Sequence, residues 1–164
     1  MQCRHFKMAA LHFFKKKTML INIRQVVSTD FPSILALIKE FAIFQKTPEK
    51  VSITLAQMEK EKDFFRCFVA ETNDQTIVGF ASFYFTYFSW SGKGIFLDDL
   101  YVTESFRKQS IGVQLLTAVI DLGKKDQCKK LRWQVSGWNK NAIGFYEKMG
   151  AVIDDTEINC DLCL

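Results

Sequence analysis

Residues 97–116 read LDDLYVTESFRKQSIGVQLL, and this stretch has the pattern of a strand, a glycine-bearing loop and a helix. Its first six residues are apolar apart from Asp98 and Asp99, as in a buried strand. From residue 111 onward the apolar residues recur at helical spacing. A loop that enters a helix in this way presents free backbone N–H groups together with the partial positive charge of the helix N-terminus. The stretch therefore predicts a site for a phosphate or pyrophosphate group.

The composition favours a single domain with a substantial core. A chain of 164 residues fits one domain, and 48% of its residues are hydrophobic. No apolar run is long enough to cross a membrane, because charged residues interrupt each candidate. The five cysteines are odd in number and scattered, which argues against a disulfide framework and favours a reducing compartment, for which we expect the cytoplasm. Cys160 and Cys163 lack a second pair or a nearby histidine, so they do not indicate a metal site.

Residues 1–20 differ from the rest of the chain in charge. They carry five positive charges and no acid, and without them the net charge falls from +4 to −1. The remainder is therefore not basic, which argues against nucleic acid as its partner. We interpret residues 1–20 as a disordered or loosely docked basic extension, or as residues upstream of an original start at Met19, with a targeting peptide as the alternative. Both histidines, His5 and His12, lie in this extension, which excludes Ser-His-Asp and Cys-His catalysis from residues 21–164.

Residues 21–164 alternate between strand and helix patterns. We expect strands over residues 21–27, 68–71, 77–88, 95–102 and 130–135. We expect helices over residues 31–44, 54–64, 111–125 and 142–149, with Asp30 capping the first. The three strands between residues 68 and 102 are joined by short turns as an antiparallel meander, and residues 151–164 can supply one or two more strands. This order indicates one α/β domain, a sandwich whose mixed, mostly antiparallel sheet carries helices on both faces.

Two motifs make residues 21–160 resemble the GNAT superfamily of acyl-CoA-dependent N-acetyltransferases. The strand LDDLYV leads into residues 107–112, RKQSIG, which are similar to the family's [QR]-x-x-G-x-[GA] pyrophosphate loop. Residues 138–142, WNKNA, and 145–151, FYEKMGA, look like its N-x-x-A-x-x-F-Y-x-x-x-G-F/A segment. The chain is most similar to the diamine (spermidine/spermine) and thialysine acetyltransferases, through IVGFASFYFTYFSWSGK before LDDLYV and through LIKEFAIFQ in the first helix.

The resemblance implies transfer of an acetyl group from acetyl-CoA to the primary amine of a small molecule, a diamine, a polyamine or a lysine-like amino acid, by direct attack. It implies that two central strands splay apart to hold the cofactor, whose pantetheine arm pairs with the backbone of Leu100, Tyr101 and Val102. The pyrophosphate would be held by the loop residues Lys108, Gln109, Ser110, Ile111, Gly112 and Val113. Asn139 and Ala142 would flank the cofactor.

Ser110 is a departure from the family's loop, which has glycine at this position. Serine keeps the backbone N–H donor but adds a side chain, and it costs roughly 1 kcal/mol if its φ is positive. We therefore expect the substitution to affect the affinity for the cofactor more than its identity. An alternative is that the Ser110 hydroxyl caps the helix or contacts a phosphate oxygen.

The resemblance also implies the catalytic residues. Tyr146 is the candidate general acid for the leaving thiolate, since a phenol suits proton donation to a thiolate; the alternative is a core aromatic beside Phe145. Asp98 is the candidate base that deprotonates the amine through water, and the alternative is a structural carboxylate at a strand end. Adjacent strand residues face opposite sides of the sheet, so Asp98 and Asp99 cannot share one role.

The acceptor is less well defined by the sequence. The resemblance places Phe44, Gln45, Trp90, Asp99 and Gln134 at the amine pocket. A polyamine would need several carboxylates along a groove, whereas this chain has Gln45 where one would help and Lys50 nearby, so a lysine-like amino acid or another small amine fits at least as well. We also expect a homodimer, with residues 83–88 offering a surface. The alternatives are acetylation of a protein amine and a non-catalytic acyl-CoA-binding module.

Overall fold

A computed structural model describes residues 20–156, which form a five-stranded sheet with helices on both faces. The strands are β1 (Ile21–Gln25), β2 (Arg66–Thr72), β3 (Ile77–Phe88), β4 (Gly92–Val102) and β5 (Lys130–Arg132). The helices are α1 (Phe31–Phe44), α2 (Leu55–Lys60), α3 (Ile111–Lys125) and α4 (Lys140–Lys148). The strand order is β1-β2-β3-β4-β5, and all pairs are antiparallel except β4 with β5. The predicted α/β class and the antiparallel meander are confirmed.

Several boundaries differ from the expected ones. The helix predicted over residues 54–64 covers only Leu55–Lys60, and the strand predicted over residues 130–135 ends at Arg132. Residues 151–156 form no strand. The predictions for residues 1–19 and for residues 157–164, which include Cys160 and Cys163, lie outside the described residues. Within residues 20–156, none of the helices combines the length and the apolar character needed to cross a membrane.

Two hydrophobic cores hold the helices against the two faces of the sheet. On one face, Ile95 and Leu97 of β4 pack against Leu115, Leu116 and Val119 of α3, and all five are almost completely buried. On the other face, residues of β2, β3 and β4 pack against α1 and α2, with these side chains buried: Phe31, Ile34, Leu37, Met58, Val69, Phe80 and Tyr101. The alternation of side chains along each strand supplies both cores, as expected for a sheet covered on both sides.

A β-bulge interrupts this alternation in β4. Ser82 pairs with Asp99, but the next residue of β3, Phe83, pairs with Leu97, so Asp98 is an extra residue. The backbone N–H of Asp99 donates to the Ser82 hydroxyl at 3.1 Å. After the bulge, Asp99 and Tyr101 lie on the face that carries α1, while Asp98 is exposed. The bulge thus selects which of the two carboxylates points towards α1.

The strands β4 and β5 pair over three residues and then separate. Gly94, Ile95 and Phe96 pair in parallel with residues 130–132, and the rest of β4 has no strand partner on this side among the described residues. On its other side β4 pairs with β3 along its whole length. This separation confirms the predicted splay of the central strands.

Arg24 of β1 ties the start of α1 to the sheet. Its guanidinium donates two hydrogen bonds to Asp30, at 2.6 and 2.9 Å, and two to Glu71 of β2, at 3.0 and 2.8 Å. Asp30 precedes α1 as predicted, but its side chain makes no capping bond to that helix. It accepts instead from Arg24 and from the backbone N–H of Val27. The hydrogen bonds from Arg24 hold the pKa of the Asp30 carboxyl below its usual value.

We expect Asp30→Asn to lower the free energy of unfolding at pH 7 by about 2 kcal/mol, because it removes the charged partner of a partly buried ion pair. Since the pKa of Asp30 is lower in the folded than in the unfolded chain, this stabilisation is fully present above the unfolded pKa of about 3.9 and is lost as the pH falls through the folded pKa. Urea unfolding between pH 3 and 8 measures it. Asp126→Asn breaks the exposed Lys93–Asp126 pair and should have a smaller effect; equal effects of both variants would contradict the prediction.

Candidate active site

An open cavity of about 440 Å³ lies between the end of α1, the following turn and the point where β4 leaves β5. α1 lines it with apolar side chains, and β4 and the segment after β5 add polar and aromatic ones. The lining residues are Ile38, Phe41, Ala42, Gln45, Thr47, Lys50, Val51, Asp99, Ser136 and Trp138. Two of them carry a charge, Asp99 and Lys50. The cavity therefore has room for a small molecule that is partly apolar and bears at least one charged group.

Asp99 is the carboxylate that the structure brings to this cavity. Burial raises the pKa of Asp99 to about 6, with a further contribution from the negative charge of Asp98. A carboxylate with such a pKa is mostly ionised at neutral pH and yet accepts a proton readily, as a general base must. Asp98, the residue to which the resemblance assigns the base, is exposed and outside the cavity lining. The β-bulge separates the two side chains in this way.

Tyr146 of α4 lies on the inner side of the same region. Its ring is 7% exposed and packs against Trp133 and Phe145, with centroid distances of 4.9 and 5.1 Å. Burial raises the pKa of Tyr146 to about 12, and the charge of Asp99 contributes to the increase. The charge of Asp99 therefore acts on the Tyr146 phenol. Tyr146 is thus a packed aromatic residue and also a protonated phenol whose pKa responds to the charge of Asp99.

The loop before α3 has the backbone that an anion-binding turn requires. Lys108 and Ser110 both have positive φ, 61° and 62°, in the left-handed region that glycine favours. Ser110 occupies the N-cap position of α3, but its hydroxyl makes no capping hydrogen bond, so the suggested capping role is wrong. If Gly112 carried a side chain, its Cβ would have one neighbour within 4 Å, the Phe145 ring at 3.9 Å. The space over the first turn of α3 is therefore open. The free N–H groups of this turn are available to a phosphate.

Arg107 connects this loop to the acceptor side of the cavity. Its Nε donates to the carbonyl of Val102 at 2.9 Å. Its guanidinium lies 4.8 Å from the ring centroid of Phe44 and 5.4 Å from that of Tyr101. The hydroxyl of Tyr101 donates to Glu40 at 2.8 Å. A charge on an aromatic face and two hydrogen bonds thus hold the end of β4 against α1.

The remaining predicted residues occupy different places. Gln45 lines the cavity and accepts a hydrogen bond from the Ser136 hydroxyl at 3.3 Å. Phe44 packs at a tilt on Trp138, a cavity residue, with a centroid distance of 5.7 Å, whereas Gln134 is exposed just after β5. Trp90 is fully exposed in the turn between β3 and β4. At about 3.3 Å per residue, the length of β4 separates this turn from Asp99, so the structure does not bring Trp90 to the cavity.

The segment after β5 contains the second family motif, residues 138–151, and follows the point where β4 and β5 separate. The Asn139 side chain accepts a hydrogen bond from the backbone N–H of Ala142 at 3.1 Å and so caps α4. Gly150 follows this helix with a φ of 87°, which turns the chain away. Leu100, Tyr101 and Val102 lie on the part of β4 that has left β5. Sequence reasoning missed Val51 and Ser136 as cavity residues, because they lie in irregular segments without a periodic pattern.

Comparison with known proteins identifies relatives of this arrangement. The Acetyltransferase (GNAT) family matches residues 31–151. The chain is 35% identical over 141 residues to the human spermidine/spermine N(1)-acetyltransferase-like protein 1, with 80% of this chain and 20% of that protein covered. It is 31% identical over 141 residues to the thialysine N-epsilon-acetyltransferase of Mus musculus, with 79% and 83% covered. The chain thus spans a fifth of the first relative and most of the second.

A solved structure shares the fold at lower identity. The aminoglycoside N-acetyltransferase AAC(6')-Iy, determined in complex with CoA, superimposes with a TM-score of 0.71 at 21% identity. The superposition covers 90% of this chain and 99% of that one. The likeness extends over the sheet and the helices on both of its faces.

We expect Ser110→Gly to raise the free energy of unfolding by up to about 1 kcal/mol, because glycine adopts positive φ without a steric cost. We expect it also to tighten the binding of coenzyme A in titration calorimetry, since the loop backbone becomes free to approach a phosphate. Gln75→Gly is the matched control: Gln75 has a φ of 65° in the turn between β2 and β3. It should stabilise the fold without changing coenzyme affinity. Weaker binding by Ser110→Gly would show instead that the hydroxyl contacts the ligand.

Proposed function

The chain belongs to the GNAT family of acetyltransferases, and on this premise we propose that it transfers the acetyl group of acetyl-CoA to the primary amine of a small molecule. The observation that carries the proposal is the position of Asp99 and Tyr146. Both lie where β4 leaves β5, Asp99 faces the cavity, and its charge influences the pKa of Tyr146. An amine in the cavity would therefore meet a base on one side and a proton donor near the splay.

The residues of the splay and of the loop fit coenzyme A. The unpaired edge of β4 at Leu100, Tyr101 and Val102 offers backbone groups to an amide-containing arm, as an added strand would be paired. The positive-φ turn of residues 108–113 offers N–H groups, and the space over Gly112 admits a pyrophosphate. Asn139 caps α4 and Ala142 lies in its first turn, and Phe145 of the same helix borders this space. When bound, acetyl-CoA supplies the acetyl thioester that an amine attacks.

The protein's own groups perform the proton transfers. A primary alkylamine is almost wholly protonated at neutral pH, so it must lose a proton before it attacks a carbonyl. Asp99, with its pKa of about 6, accepts that proton directly or through a water molecule. Tyr146 keeps its proton at neutral pH and donates it to the sulfur that leaves. The cavity orients the acceptor.

The relatives support a small amine as acceptor. Their names specify spermidine/spermine, thialysine and, for a 34% identical protein of Arabidopsis thaliana, L-ornithine. All these acceptors carry a primary amine on a flexible chain.

We further propose that the protein acts in the cytoplasm and forms a homodimer, for which the exposed Tyr84, Tyr87 and Trp90 around the β3–β4 turn provide an aromatic surface.

The test is thiol release from acetyl-CoA with a panel of spermidine, putrescine, lysine, thialysine and a lysine peptide. We expect turnover with at least one free amine, and a loss of about a hundredfold in kcat for Tyr146→Phe with coenzyme binding retained. Phe145→Leu, in the neighbouring position, is the control for packing and should lose less. If no amine reacts although coenzyme A binds in calorimetry, the protein is a binding module; unchanged turnover in Tyr146→Phe would remove Tyr146 from the mechanism.

The two carboxylates are distinguished by their pH dependence. We expect kcat at saturating amine to fall below a pH of about 6, because protonated Asp99 cannot accept a further proton. Asp99→Asn should lower kcat at pH 7.5 by about a hundredfold and abolish this acid limb, while Asp98→Asn should retain it. If Asp98→Asn removes the limb and Asp99→Asn does not, the base is Asp98, as the sequence resemblance implies.

A further inference from the structure

Lys50 gives the cavity a second charged residue, which the proposed chemistry does not use. It belongs to the short 3-10 turn Pro48–Lys50 that follows α1, and it lines the same cavity as Asp99. The three ion pairs found within residues 20–156 involve Arg24 and Lys93, and none involves Lys50. No hydrogen bond in this part of the chain engages its ammonium group. Lys50 therefore presents a positive charge to whatever occupies the cavity.

We propose that Lys50 determines acceptor specificity by binding an anionic group at the end of the acceptor remote from the reacting amine. The preferred acceptor is then an amino acid that carries both a carboxylate and a terminal side-chain amine, rather than a diamine or polyamine. This inference rests on the proposed function and specifies its substrate class.

The charges of the cavity favour such an acceptor. Asp99 is its one carboxylate, and the other polar lining residues, Gln45, Thr47 and Ser136, are neutral. A diamine brings two positive charges, of which Asp99 can neutralise one, and the second then lies in a cavity that already contains Lys50. An amino acid with a terminal amine places that amine at Asp99 and its carboxylate at Lys50, so each charge of the cavity acquires a partner.

The rest of the lining matches the middle of such a molecule. Ile38, Phe41, Ala42 and Val51 are apolar and suit a short methylene chain. The α-ammonium group of the amino acid would need uncharged oxygen atoms to which it can donate hydrogen bonds. The side-chain oxygens of Gln45 and Thr47 supply them. Gln45 already accepts from Ser136 at 3.3 Å, which fixes its amide oxygen within the cavity. The lining therefore has complementary groups for every part of an amino acid of this kind.

Lysine and cadaverine provide a matched pair of acceptors, because they differ only in the α-carboxylate. For the wild-type protein we expect kcat/KM for lysine to exceed that for cadaverine by roughly tenfold, the effect of one charge-assisted contact. In Lys50→Glu the ratio should invert, since the new carboxylate repels lysine and attracts the second ammonium of cadaverine. Lys50→Met should bring the ratio close to one.

Lys46→Glu is the control for net charge. It makes the same change of charge in the same segment, but Lys46 does not line the cavity, so the lysine-to-cadaverine ratio should stay at its wild-type value. Coenzyme affinity, measured by calorimetry, should be the same in all variants and shows that each is folded. A wild-type preference for cadaverine, or a ratio that Lys50→Glu leaves unchanged while turnover persists, would overturn the role of Lys50. Absence of turnover with every amine would overturn the proposed function itself, and this inference with it.

Discussion

The separation of β4 from β5 after three paired residues is the constraint on which the rest of the site depends. Backbone N–H and C=O groups at a strand edge need partners, and a sheet normally supplies them from the next strand. Here β4 continues to Val102 with its β3 side paired and its other side free of a strand partner within residues 20–156. The polar edge that results lies between the two cores and beside the turn that begins α3. A ligand that brings its own amides can satisfy this edge, which explains why a binding site forms in the middle of a sheet.

The bulge in β4 shows both the reach and the limit of sequence reasoning. The long strand β3 and the helix α3 were predicted with their observed bounds, because their apolar periodicity is strong and both pack on the sheet. The same alternation rule predicted opposite faces for Asp98 and Asp99, but it could not show that Asp98 is an extra residue. That register shift depends on the pairing with Ser82 and Phe83, which are distant in sequence. Without this register shift the sequence could not show which carboxylate reaches the cavity. The resemblance favoured Asp98 as the base, whereas the structure brings Asp99 to the cavity.

The other differences between the predicted and the observed structure have a similar cause. β5 is short because its pairing ends where β4 diverges, although residues 133–135 keep a strand-like composition. Val51 lines the cavity through the segment that follows α1, and no periodic pattern places such a segment relative to a sheet. Ser110 behaves differently: the motif indicated a glycine position, and the positive φ of that residue agrees with the indication. Motifs thus predict local backbone well, while the position of irregular segments depends on tertiary packing.

The coupling between Asp99 and Tyr146 orders the two proton transfers of the proposed reaction. While Asp99 is ionised, its charge adds to the effect of burial and holds the pKa of Tyr146 at about 12, so the phenol keeps its proton before the amine is activated. Once Asp99 has accepted a proton from the amine, this electrostatic contribution disappears and the pKa of Tyr146 decreases. Donation to the departing sulfur then becomes easier at the stage at which it is needed. In the proposed reaction the base lines the cavity and the acid lies in the core behind it, and the proton taken up by Asp99 adjusts the pKa of Tyr146 through their electrostatic interaction.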